Sequence, residues 1–187
     1  MKRSARRAWS LVLETTKWVG LILLVGYFWF HPPHVDFLWV AAYLVVVFGI
    51  ALPGVLLLLL LNKVFPSQRD INPFQLPPER GGGVHIPWRK VTLIPGEDGA
   101  FYVPLLLLGV TVPHAAIFAF LFGAFHYPHY AVIDCIFKGG IFFVASLWVL
   151  PHGLGSIVVG HLLQDVIVLA LLQVSTGAAK KQDAAHK

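Results

Sequence analysis

Five apolar stretches, each about as long as a bilayer is thick, leave few folds open to this chain. They run roughly from Trp9 to Phe30, Phe37 to Phe65, Ala100 to Phe125, Tyr130 to Leu150 and Leu154 to Val174. A helix needs about 20 apolar residues to cross a membrane. In lipid, every backbone N–H and C=O must be satisfied internally, which leaves helices or closed barrels. These runs are continuous rather than alternating, so the expected fold is an all-α, polytopic transmembrane helix bundle. Only 12% of the residues are charged, against about 25% in soluble domains. At 187 residues the chain has room for one membrane domain.

The charges suggest how such a bundle is threaded. Residues 1–65 hold two spans joined by HPPHVD, a turn set by Pro32 and Pro33. Residues 66–96, rich in proline, glycine and charge, read as a cytoplasmic loop, 97–174 as the remaining helices and 175–187 as a polar tail. Lys2, Arg3, Arg6 and Arg7 place the N-terminus in the cytoplasm, and Arg69, Arg80, Arg89 and Lys90 place the loop there too. The apolar run after Lys2–Arg7 contains Glu14 and Lys17 and lacks a small-residue cleavage site. It therefore reads as a retained first helix and not a signal peptide.

The stretch 100–125 either crosses once or breaks near Thr111-Val-Pro113-His114 into a broken or re-entrant hairpin. The hairpin returns Lys180, Lys181 and Lys187 to the cytoplasm, as the positive-inside rule prefers, and it calls for a polar cavity beside it. The net charge of +5 gathers at the two ends and in the loop, pointing to lipid headgroups and not to nucleic acid. A lone Cys135 excludes an internal disulfide and any cysteine-pair zinc site.

Three polar clusters could face the cavity: Glu97 and Asp98, His126 and His129, and His161 with Asp165 one helical turn on. Each has a plainer reading. Acids after Pro95-Gly96 suit a helix N-terminus, histidines beside Pro128 suit a turn, and His161–Asp165 suits a bond between helices. Glu14 with Lys17, and Asp134 with Lys138, are spaced as ion pairs along their helices.

Together, Phe122-Gly-Ala-Phe-His126 and His161-Leu-Leu-Gln-Asp165 resemble the CAAX-protease and bacteriocin-processing (CPBP, Abi-type) intramembrane proteases. That family carries Glu-Glu-x-x-x-Arg, Phe-x-x-x-His and His-x-x-x-Asn/Asp on membrane helices. Glu97-Asp98-Gly-Ala-Phe-Tyr102 stands at the first motif, with Asp98 for the second Glu and Tyr102 for the Arg. The resemblance implies a divergent intramembrane endopeptidase of a bacterial inner (plasma) membrane, with a membrane protein or peptide as substrate. It implies Glu97 and His126 as the water-activating pair, and His161 and Asp165 as the groups that orient water or stabilise the oxyanion, with Asp98 beside them. Zinc held by Glu97, His126 and His161 is an alternative way to activate the water. Two other classes stay open: a non-catalytic scaffold, and a haem or metal protein using some of the nine histidines, His31-Pro-Pro-His34 among them.

Overall fold

The computed structural model describes residues 3–64, 93–126 and 132–185. Among them the chain is all helical, without strands. Helices α1 (Arg3–Phe30) and α2 (Phe37–Val64) are followed by α3 (Ile94–Leu108), α4 (Val112–His126), α5 (Val132–Trp148), a single 3-10 turn at Leu150–His152, and α6 (Leu154–Ala185). Pro53 lies inside α2, and the helix continues past it to Val64. The tail expected at 175–187 is helical as far as Ala185.

Two expected boundaries move. The loop expected over 66–96 gives up its last residues, because Ile94, Pro95 and Gly96 already form the first turn of α3. Proline there sacrifices only an N–H that lacks a helical partner anyway. The break in 100–125 falls at Gly109–Thr111, just ahead of the expected point. Gly109 adopts φ +89°, a conformation that favours glycine. The Thr111 hydroxyl then accepts the His114 N–H at 3.4 Å, capping α4, while Pro113 occupies its first turn. The remaining loop residues, with Arg69, Arg80, Arg89 and Lys90, lie outside the described residues, as does His129.

Glycines set which helices touch. A Cβ at Gly20 of α1 would meet the Gly96 carbonyl oxygen and Ala100 of α3. One at Gly99 would meet the Gly20 carbonyl and Leu24, so α1 and α3 run in the same direction almost backbone to backbone. Small residues permit such close approach. Gly123 lies over the Cys135 carbonyl and Gly139 over that of Ala119, which makes α4 and α5 antiparallel. Trp39 of α2 stacks on His152 at 3.4 Å, and the Tyr43 ring fills the space above Gly160 of α6. α2 and α6 therefore start from one end, and the start of α1 and the end of α6 share the other.

The core between them is aromatic. Phe101 meets Phe122, Phe125 and Phe142 edge-on, while Tyr102 stacks on Phe142 at 4.3 Å. This cluster includes Phe101 and Tyr102 of α3 and so supports Glu97 and Asp98 one turn before them.

Candidate functional site

Glu97 and Asp98 lie in the first turns of α3, and both are buried. Successive helical residues point about 100° apart, so the two carboxylates serve different neighbours. Glu97 reaches back to α1 and across to α4. Its Oε1 is ion-paired with the Lys17 ammonium, and its Oε2 lies 3.6 Å from His126 Nε2 at the last residue of α4. The contact between residues 97 and 126 closes 94–126 into a hairpin with both ends at one level.

His126 is held by its other ring nitrogen. Nδ1 lies 2.8 Å from the Phe122 carbonyl oxygen. A carbonyl can only accept, so Nδ1 carries the proton and the neutral ring presents the lone pair of Nε2 to Glu97. A carboxylate oxygen and a lone pair 3.6 Å apart call for a donor between them, either a proton on Nε2 or a water beside the gap.

Asp98 turns the other way. Its Oδ1 accepts the Nδ1–H of His161 at 2.9 Å. Asp98 is only 1% exposed, and its Oδ2 has no hydrogen-bond partner among the described residues. This replaces the pairing that the four-residue spacing suggests: His161 is held by Asp98 and not by Asp165. The helix offers His161 a neighbour one turn on, but the fully buried carboxylate on α3 gains most from its N–H. Asp165 is half-buried and accepts instead from the Gln164 amide, at 3.5 Å. The Tyr43 hydroxyl donates to the Gln164 carbonyl oxygen at the same long distance.

Glu97, Asp98, His126 and His161 are thus gathered, with Asp165 at the margin. Lys17 joins them through Glu97, a partner that its spacing to Glu14 does not reveal. An ionisable residue in an apolar span is the sequence signal for it, but the partner depends on the glycine contact of α1 with α3. The grouping of Glu97, His126 and His161 around zinc does not form. Among the described residues no three His, Cys, Asp or Glu side chains are placed to hold an ion. The reason lies in the pairing: Lys17 already holds Glu97, and His161 is turned to Asp98.

Three further histidines serve the backbone or rings. His114 Nδ1–H donates to the Gly109 carbonyl at 2.9 Å, His31 stacks on Tyr27, and His152 stacks on Trp39.

Chemically, the site offers a carboxylate and an imidazole lone pair facing one gap, beside a second carboxylate–imidazole pair. The chain matches no family model, no curated protein and no solved structure.

Proposed function

We propose that this chain is an integral membrane protein, a divergent CPBP-like intramembrane peptidase that cleaves a peptide bond with water activated by Glu97 and His126. Membrane insertion is supported by the inverted distribution of polarity. Trp29, Phe37 and Phe120 are each more than three-quarters exposed, whereas Asp98, Ser146 and Ser156 are almost wholly buried. Residues Leu11–Phe30 and Phe37–Gly54 are long and apolar enough to cross. The start of α1 and the end of α6 at one end of the bundle agree with the basic residues that mark a cytoplasmic face.

The observation that carries the hydrolytic reading is the approach of His126 Nε2 to Glu97 Oε2, 3.6 Å across the hairpin in a buried setting. In the proposed reaction a water donates to both atoms and attacks the scissile carbonyl with its remaining lone pair. Glu97 takes the water's proton and returns it to the leaving amine. His161, held as an imidazolium by the Asp98 carboxylate at Nδ1, donates its Nε2–H to the oxyanion that forms. In surroundings of low dielectric such a bond is worth more than in water. Lys17 lies six residues beyond Leu11, so the site sits about 9 Å inside the span at 1.5 Å per residue, a depth suited to a membrane-borne peptide.

A scaffold without catalysis is favoured by one specific observation: Lys17 already neutralises the proposed base. The two readings part in cells expressing the chain or its Glu97→Gln variant, compared by sequencing the new termini of membrane proteins. A peptidase gives termini in or beside apolar segments with the wild type only. Identical sets with both chains leave the scaffold.

A further inference from the structure

Lys17 lies on the apolar part of α1, yet its side chain points inward, 22% exposed, with Nζ on Glu97. From this geometry we infer that Lys17 is a positioning residue for Glu97, pinning Oε1 so that Oε2 faces His126. The inference deepens the hydrolytic reading and rests on it for its effect on cleavage.

Three observations carry it. First, the α1–α3 contact is built at this register. A Cβ at Gly96 would meet the Lys17 carbonyl oxygen, and Gly20, one turn after Lys17, meets Gly96 and Ala100. These contacts are to backbone and have little freedom to yield, so the level of Lys17 against Glu97 is fixed by packing. Second, α3 carries no Lys, Arg or His. Where a cation would follow Asp98 by one turn stands Tyr102, stacked on Phe142, so the charge that balances Glu97 comes from α1. Third, the two oxygens of Glu97 have different partners, on α1 and α4. Fixing one orients the other.

The test uses the full chain in detergent micelles and dicyclohexylcarbodiimide, which reacts with protonated carboxyls in apolar surroundings. A buried carboxylate that loses its cation neutralises by taking up a proton. The expected result is no label on Glu97 in the wild type or in Lys17→Arg. Label is expected in Lys17→Met and in Lys17→Gln, which keeps a donor but no charge, located by mass spectrometry of the peptide. Label on Glu97 in the wild type, or none in both uncharged variants while their unfolding midpoints match the wild type, overturns the inference.

In a cleavage assay Lys17→Met lowers kcat about 100-fold with KM unchanged, and Lys17→Arg restores it. Should the labelling follow the expected pattern while no chain cleaves, the hydrolytic reading falls and the hold of Lys17 on Glu97 stands.

Discussion

Glu97 and Asp98 are neighbours in the chain, but they occupy unlike stations. Glu97 has a partner at each oxygen, one on α1 and one on α4, and its approach to His126 at 3.6 Å is too long for a direct bond. Asp98 has a single tight bond at 2.9 Å to His161 and an orphan oxygen in a sealed position. A loose contact leaves room for a reacting molecule, whereas a tight buried pair fixes a side chain. On the proposed hydrolytic reading, burial is therefore a poor guide to which acid does chemistry. The slack in its contacts is a better one.

Removing each partner should break the symmetry between the stations. Glu97→Gln keeps the shape and removes the proposed base, so on the hydrolytic reading cleavage should fall by two to four orders of magnitude, as for loss of a general base, about 10²–10⁴-fold. It also takes from the Lys17 ammonium the charge that balances it, so the unfolding midpoint in detergent should fall as well. Activity surviving within tenfold would assign the base elsewhere. His161→Ala should lower cleavage and also weaken the fold, since it strips Asp98 of its one hydrogen-bond partner among the described residues. Breaking a buried ion pair costs about 3–5 kcal/mol, and the unfolding midpoint reads it. His126→Ala leaves Glu97 with Lys17 and should cost only about 1 kcal/mol. Equal losses for the two histidine variants would erase the distinction drawn here.

The sequence gives the helices more readily than their partners. α1, α2, α5 and α6 begin or end within a few residues of the expected spans, because each is a long apolar run and the run itself is the signal. The break before α4 is legible from Thr111 and Pro113. Glu97, Asp98, His126 and His161 are legible as polar residues in apolar surroundings. What stays hidden is who meets whom. Spacing within one helix puts Asp165 beside His161 and Glu14 beside Lys17. The tertiary contacts give Asp98 to His161 in place of Asp165 and add Glu97 as a partner of Lys17, because α3 packs against both α1 and α6. Gly96 and Gly99 carry that information, but in sequence they look like the end of a loop.

A smaller effect, at the α1–α3 contact, sharpens the Glu97 station. Gly99→Val places branched carbon against the Gly20 carbonyl and Leu24. Overpacking of this kind costs about 1–3 kcal/mol, read as a lowered unfolding midpoint. It should also draw Lys17 from Glu97 and so reproduce the carbodiimide labelling of Lys17→Met. The same substitution at Gly26, which has nothing within 4 Å, should do neither. Label on Glu97 absent from Gly99→Val would separate the glycine contact from the lysine's position.

The smallest effect belongs to the hairpin's far end, where no acid is placed. There His114 Nδ1–H holds the Gly109 carbonyl at 2.9 Å and the Thr111 hydroxyl caps α4. Both bonds are partly open to their surroundings, and Leu107, Leu108 and Val112 beside them are exposed. His114→Ala should therefore lower stability by only about 1 kcal/mol, the net worth of one such bond, and leave cleavage within twofold. The two ends are tied together by two helices of 15 residues each, about 22 Å at 1.5 Å per residue. A local loss at the tip should fade over that length, because Phe101, Phe122 and Phe142 pack the helices below it. A large fall in cleavage by His114→Ala, with the fold intact, would mean that the tip governs the Glu97–His126 gap and that the hairpin moves as one rigid lever.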